Sequence, residues 1–150
     1  MLNIDHVNIV VEDLERSARF YGELLGLKET MRARLTGGWI EQVTGLAGVE
    51  AECAYFQPED GPRVELLQFV SPRGEPLAAA SLPNTPGIRH LAFRVADINA
   101  EYERLRAAGV VFLGAPVEVP LATVRHVSGR KRLCYFHDPD GVLLELAEFS

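Results

Sequence analysis

Two stretches 84 residues apart repeat one pattern, and that repeat limits the folds open to this chain of 150 residues. Residues 5–25 read DHVNIVVEDLERSARFYGELL and residues 89–109 read RHLAFRVADINAEYERLRAAG. Each copy starts with a histidine and an apolar-rich run, then reaches an aspartate seven residues on: His6 to Asp13, His90 to Asp97. Apolar residues at helical spacing follow, as Leu14, Ala18, Tyr21 and Leu25 in one copy and Ile98, Tyr102, Leu105 and Ala108 in the other. The aspartates stand where an N-cap belongs, and Gly26 and Gly109 where a helix-ending glycine belongs. Each copy therefore opens as strand, cap, helix, stop.

The far ends match as well. Asp60-Gly61 leads into Arg63-Val64-Glu65-Leu66-Leu67, and Asp140-Gly141 into Val142-Leu143-Leu144-Glu145-Leu146, with four residues from glycine to glutamate in both. Asp-Gly is turn chemistry, so each glutamate falls inside the strand that follows. Two further strand-like runs lie between helix and last strand: 28–35 and 49–57 in the first copy, 110–119 and 131–137 in the second. The expected fold is α+β, built from two βαβββ modules over 1–70 and 88–150. Residues 71–87 hold four of the nine prolines and read as the linker within a single domain.

Composition sets the class of partner. At 47% hydrophobic and 24% charged residues the chain resembles a globular protein, not a disordered one. A net charge of −6 disfavours nucleic acid and anionic membrane surfaces. No apolar run approaches the roughly 18 residues of a membrane helix, and no basic-then-apolar leader opens the sequence, so a soluble cytoplasmic protein is expected. Cys53 and Cys134 sit in apolar strand-like runs and are expected to be reduced and buried.

A glutamate flanked by Val and Leu inside a strand is costly unless it is paired or bound to a metal. Here that happens twice, in step with two histidines. His plus carboxylate is the ligand set of first-row divalent metals, so His6, Glu65, His90 and Glu145 suit a site with positions left for water or substrate. Strand alternation places Asn8 on the face of His6, Arg94 on that of His90, and Leu67 and Phe69 on that of Glu65. A mostly apolar cavity with a few polar contacts is what a small-molecule site requires. His137 and His126 stand outside the repeat. His137 precedes Asp138-Pro139 and belongs near a turn, while His126 lies in a polar segment, 120–130, suited to covering a site.

The opening DHVNIVVEDLERSARFYGELLGL, the string PGIRHLAFRVADI and the closing HDPDGVLLEL resemble the vicinal oxygen chelate superfamily, and the resemblance spans nearly the whole chain. That group includes glyoxalase I, methylmalonyl-CoA epimerase, extradiol dioxygenases, fosfomycin-resistance enzymes and bleomycin-binding proteins. The resemblance implies an eight-stranded cup-shaped sheet around a metal site, with His6, Glu65, His90 and Glu145 as ligands to Ni, Co, Zn, Mn or Fe. It also implies a homodimer. Glyoxalase I proteins typically carry an arginine and an asparagine that hold glutathione, where this chain has Val10 and Phe69. Glu65 fills a position that extradiol and fosfomycin enzymes usually leave without a ligand, and bleomycin binders lack the ligands altogether. RVELLQFVSP looks most like the matching strand of epimerase-like members.

The implied activity is that of a metal-dependent lyase or isomerase that stabilises an enolate or oxyanion on a small 2-oxo or acyl-thioester substrate. Glu145 is the first candidate base and Glu52 the second. Trp39, Tyr55, Phe69 and Tyr135 are candidates to line the substrate pocket with Asn8 and His126. Arg94 is placed to meet an anionic substrate group, as are Lys131 and Arg132 at the rim. Two other classes stay open: an Fe(II)-dependent dioxygenase, and a non-catalytic, resistance-type binding protein.

Overall fold

The computed structural model describes residues 2–77, 82–120 and 129–150. The chain divides into two compact units, Met1–Pro76 and Leu77–Ser150. It is an α+β protein with one four-stranded mixed sheet in each unit.

In the first unit, strand β1 (His6–Val10) leads to helix α1 (Leu14–Ala18), which runs on as a π-helical stretch, Arg19–Leu24. Strand β2 (Lys28–Thr36), helix α2 (Gly38–Thr44), strand β3 (Glu50–Gln57) and strand β4 (Arg63–Ser71) follow. The strand order is β1-β4-β3-β2, with β1 parallel to β4 and the other neighbours antiparallel. The crossover helix makes the parallel pairing possible, since parallel strands cannot be joined by a tight turn.

Asp13 caps α1: its Oδ1 accepts from the Arg16 amide at 2.9 Å, and Gln68 Oε1 accepts from the Leu14 amide at 2.8 Å. The helix packs on β3 and β4, with Leu14, Tyr21, Phe56, Val64 and Leu66 fully or nearly fully buried. A Cβ on Gly22 would stand 3.1 Å from Phe56 Cε1, so glycine lets the π-helical stretch approach that ring. The widened turn, with the Leu25 amide donating to the Phe20 carbonyl, also shifts the helical phase. Leu25, expected on the buried stripe, is therefore only half-buried.

The second unit repeats the plan with strand β5 (His90–Arg94), helix α3 (Ile98–Ala107), and strands β6 (Val117–Glu118), β7 (Lys131–His137) and β8 (Leu143–Phe149), in the order β5-β8-β7-β6. Asp97 caps α3 by accepting from the amides of Asn99 and Ala100, both at 3.0 Å. Glu148 Oε2 accepts from the Ile98 amide at 2.7 Å, the counterpart of Gln68 in the first unit. Ile98, Leu105, Phe136 and Leu144 are fully buried.

Two local expectations need correction. Residues 38–44 form a helix that the strand-only reading of that region did not contain; it buries Ile40 and ends at Gly45, whose φ is +71°. The strand expected over 110–119 is reduced to Val117–Glu118 and a single bridge between Phe112 and Phe136. Gly114 and Pro116 account for the break, because glycine weakens a strand and proline gives the ladder no donor.

Candidate functional site

In the first unit the register sets Asn8 and Tyr55 on either side of Glu65, one on β1 and the other on β3. Directly opposed residues share a face, so His6, two residues before Asn8, lies on that face as well. Glu65 is buried, and three groups address its carboxylate. Asn8 Nδ2 donates to Oε2 at 2.9 Å, His6 Nε2 stands 3.3 Å from the same oxygen, and the Tyr55 hydroxyl donates to the carboxylate. The phenol of Tyr55 is pushed up to about 12, first by burial and then by that hydrogen bond. Its ring meets the imidazole edge-on with centroids 5.5 Å apart, and the Arg63 guanidinium covers it at 4.7 Å.

Asp5 fixes the imidazole from behind. His6 Nδ1 lies 2.8 Å from Asp5 Oδ2, which Arg63 also contacts. These partners, His6 foremost, hold the Asp5 carboxyl below its usual range. With Nδ1–H donating a hydrogen bond to Asp5, the Nε2 lone pair faces Glu65. Metal-binding histidines usually have this kind of carboxylate support.

The second unit builds the same pair from equivalent places. Glu145 stands between Ala92 on β5 and Tyr135 on β7, and His90 Nε2 is 3.3 Å from Glu145 Oε2. The His90 and Tyr135 ring centroids are 5.1 Å apart. Burial, then the charge of Glu145 and a hydrogen bond to it, push the Tyr135 phenol up. Ala92 offers no amide where Asn8 does; instead Lys131 Nζ approaches Glu145 Oε1 to 3.0 Å. The ammonium pairs with the buried carboxylate as an ion pair, its angles falling short of a hydrogen bond.

Both pairs fit a divalent cation. Two ligands at about 2.0–2.1 Å from one ion lie about 2.9–3.4 Å apart between octahedral and tetrahedral angles, and 3.3 Å falls in that interval. The donors, imidazole nitrogen and carboxylate oxygen, suit first-row metals. Among the described residues, no group of three or more His, Cys, Asp or Glu that could hold a metal is assembled. The structure thus presents two ligand pairs.

The other candidates divide by face. Phe69 shares the face of Glu65 and packs with Leu35 and Leu67 against Ile40, Val49 and Ala51. Arg94 lies on the face of His90, its guanidinium 4.8 Å from the Phe149 ring centroid. Glu52 is placed differently: it opposes Gln68 and Arg34, on the face turned away from Glu65, and is exposed. Alternation along β3 causes this, because Cys53 and Tyr55 take the face of Glu65. Trp39 lies on α2 and is 56% exposed. His137 ends β7, its amide bonded to the Val111 carbonyl. His126 lies outside the described residues. Both cysteines are free and buried. Sequence reasoning missed Asp5 and Arg63 as supports of His6; the adjacency of Asp5 to the histidine was the available signal.

The glyoxalase/bleomycin resistance protein/dioxygenase superfamily matches residues 3–146. The chain belongs to this superfamily. Within it, the chain is 30% identical to the uncharacterized protein YwbC of Bacillus subtilis, over 95% of this chain and 94% of that protein. It is 32% identical to a 2-epi-5-epi-valiolone epimerase of an Actinomyces species, over 95% of this chain and 77% of that protein. Among solved structures, a glyoxalase family protein from Bacillus cereus superposes with a TM-score of 0.82 at 32% identity, covering 99% of this chain and 95% of that one. No helix among the described residues is long and apolar enough to cross a membrane.

Proposed function

We propose that this member of the superfamily is a divalent-metal-dependent isomerase or lyase acting on a small 2-oxo or acyl-thioester compound, with His6, Glu65, His90 and Glu145 as the protein ligands. The observation that carries the proposal is the repeated pair itself: a histidine Nε2 3.3 Å from a buried glutamate oxygen, in both units. Ni, Co, Zn, Mn or Fe all suit this donor set, and a bound ion supplies Lewis acidity toward a substrate oxygen.

The chain's own groups divide the remaining work. Asp5 orients His6, and Asn8 and Tyr55 hold Glu65. The carboxylate of Glu145 is the candidate base for a proton next to a carbonyl. Phe69, Leu67 and Leu35 give the first unit an apolar wall suited to excluding water. The similarity to a protein named as an epimerase, over 95% of this chain, supports the isomerase class. A homodimer belongs to the same proposal, and a monomer mass by light scattering would contradict it.

Proton exchange tests the activity. In D₂O the metal-loaded protein is expected to wash deuterium into the carbon next to the carbonyl of 2-oxo acids or acyl thioesters, and a chelator is expected to stop it. No exchange across such a panel, with metal present, would overturn the isomerase role.

A further inference from the structure

The two units share a frame, yet their candidate faces diverge at one end. In the first unit the face of Glu65 ends in an apolar cluster around Phe69, with Val10 on β1 and Ala51 on β3. In the second unit Phe149 occupies the place of Phe69, but Arg94 stands where Val10 does and Lys131 where Ala51 does. Two neutral positions have become two cations on either side of one ring. Arg94 Cζ is 4.8 Å and Lys131 Nζ 5.6 Å from the Phe149 ring centroid. Alternation puts both on the face of His90 and Glu145, with only Ala92, Ala147 and Leu133 in the intervening positions.

These cations are incompletely matched. Among the described residues Arg94 has no carboxylate partner; it is exposed, with its guanidinium over the Phe149 ring. Lys131 is only 19% exposed and has Glu145 as its one carboxylate neighbour among the described residues, which leaves donors of the ammonium for another acceptor. The charged side chains on this face therefore sum to a positive excess in a protein of net charge −6.

We propose that Arg94 and Lys131, on either side of Phe149, form an oxyanion-binding subsite beside the His90–Glu145 pair, so that the substrate carries a negatively charged carboxylate or phosphate remote from its reacting carbonyl. The subsite rests on the functional reading above for its link to the reaction. A guanidinium stacked on an aromatic ring is pre-organised for two parallel hydrogen bonds to such a group. Arg94 and Phe149 stand four residues from His90 and Glu145 along their strands, about 13 Å at the backbone. Lys131 Nζ reaches back over that spacing to 3.0 Å from Glu145 Oε1, so a span of a few carbons separates the two ends of the substrate.

The test is calorimetric titration of the metal-loaded protein with 2-oxoglutarate, its 5-methyl ester and a phosphate-terminated 2-oxo acid. The ester keeps the 2-oxo acid end and removes only the remote charge. The expected result is that the diacid or the phosphate compound binds about tenfold tighter than the ester, with the stronger of the two identifying the anion. Arg94→Gln is expected to remove most of that difference and Arg94→Lys to restore part of it, at unchanged thermal stability. Equal binding of charged and esterified compounds, binding of none, or an undiminished preference in Arg94→Gln would overturn the subsite. Metal content of the same samples is measured separately. Charge discrimination without metal would sustain the subsite and count against the metal-dependent role.

Discussion

Asn8 donates to Glu65 Oε2 over 2.9 Å, whereas the residue facing Glu145 in the second unit is Ala92. The two glutamates therefore have different support: an amide and a tyrosine hydroxyl at Glu65, a tyrosine hydroxyl and an ammonium at Glu145. Outer partners of metal ligands commonly control affinity by about 10–100-fold. Asn8→Ala is expected to weaken metal binding by about tenfold in a chelator competition and to lower stability by about 1–2 kcal/mol. Unchanged metal affinity in this variant would show that the amide does not support a ligand.

Glu52 provides the complementary control. It stands on the face of β3 turned away from Glu65 and is exposed. Glu52→Gln is expected to leave metal content and proton exchange at the wild-type level, while Glu65→Gln lowers both. Loss of exchange in Glu52→Gln at full metal content would return it to consideration as the base.

The two capping aspartates are expected to behave alike. Asp13→Ala and Asp97→Ala each remove a side-chain acceptor from amides at a helix start, at a cost of about 1 kcal/mol in urea denaturation. Neither change is expected to alter metal content.

Burial pushes the Cys134 thiol up to about 11, with the charge of Glu145 adding to the effect, and burial raises Cys53 as well. The thiolate is the reactive form, so native protein at pH 8.5 is expected to resist iodoacetamide, while denatured protein labels at both cysteines. For Cys134 the sign follows from linkage. The folded state keeps a proton that the unfolded state has lost, so the contribution to stability is complete below pH 9 and disappears as pH rises through about 11. Rapid native labelling at pH 8.5 would contradict the buried placement.

Much of this architecture was legible because repetition removes ambiguity. A histidine or glutamate alone says little, but matched pairs at matched offsets predicted the strands, the Asp13 and Asp97 caps and the faces carrying Asn8 and Arg94. The misses have local causes. Gly37-Gly38 obscured a seven-residue helix that buries only Ile40. A π-helical turn has no signature in a 3.6-residue period, and Leu25 drifted off the expected stripe. Glu52 reads as a candidate base until the register of β3 turns it to the opposite face. The contact of Arg63 with Asp5 depends on the register of β1 against β4, which no spacing along the chain specifies, whereas Asp5 neighbours His6 in the sequence itself.

The most direct test of the central claim is metal content by mass spectrometry, on protein prepared without chelators or a histidine tag, for wild type, Glu65→Ala and Glu145→Ala. About one divalent first-row ion per chain is expected in wild type, with marked loss in both variants. Wild-type protein that holds no metal and takes up none on titration would contradict the claim, as would variants that keep the full complement.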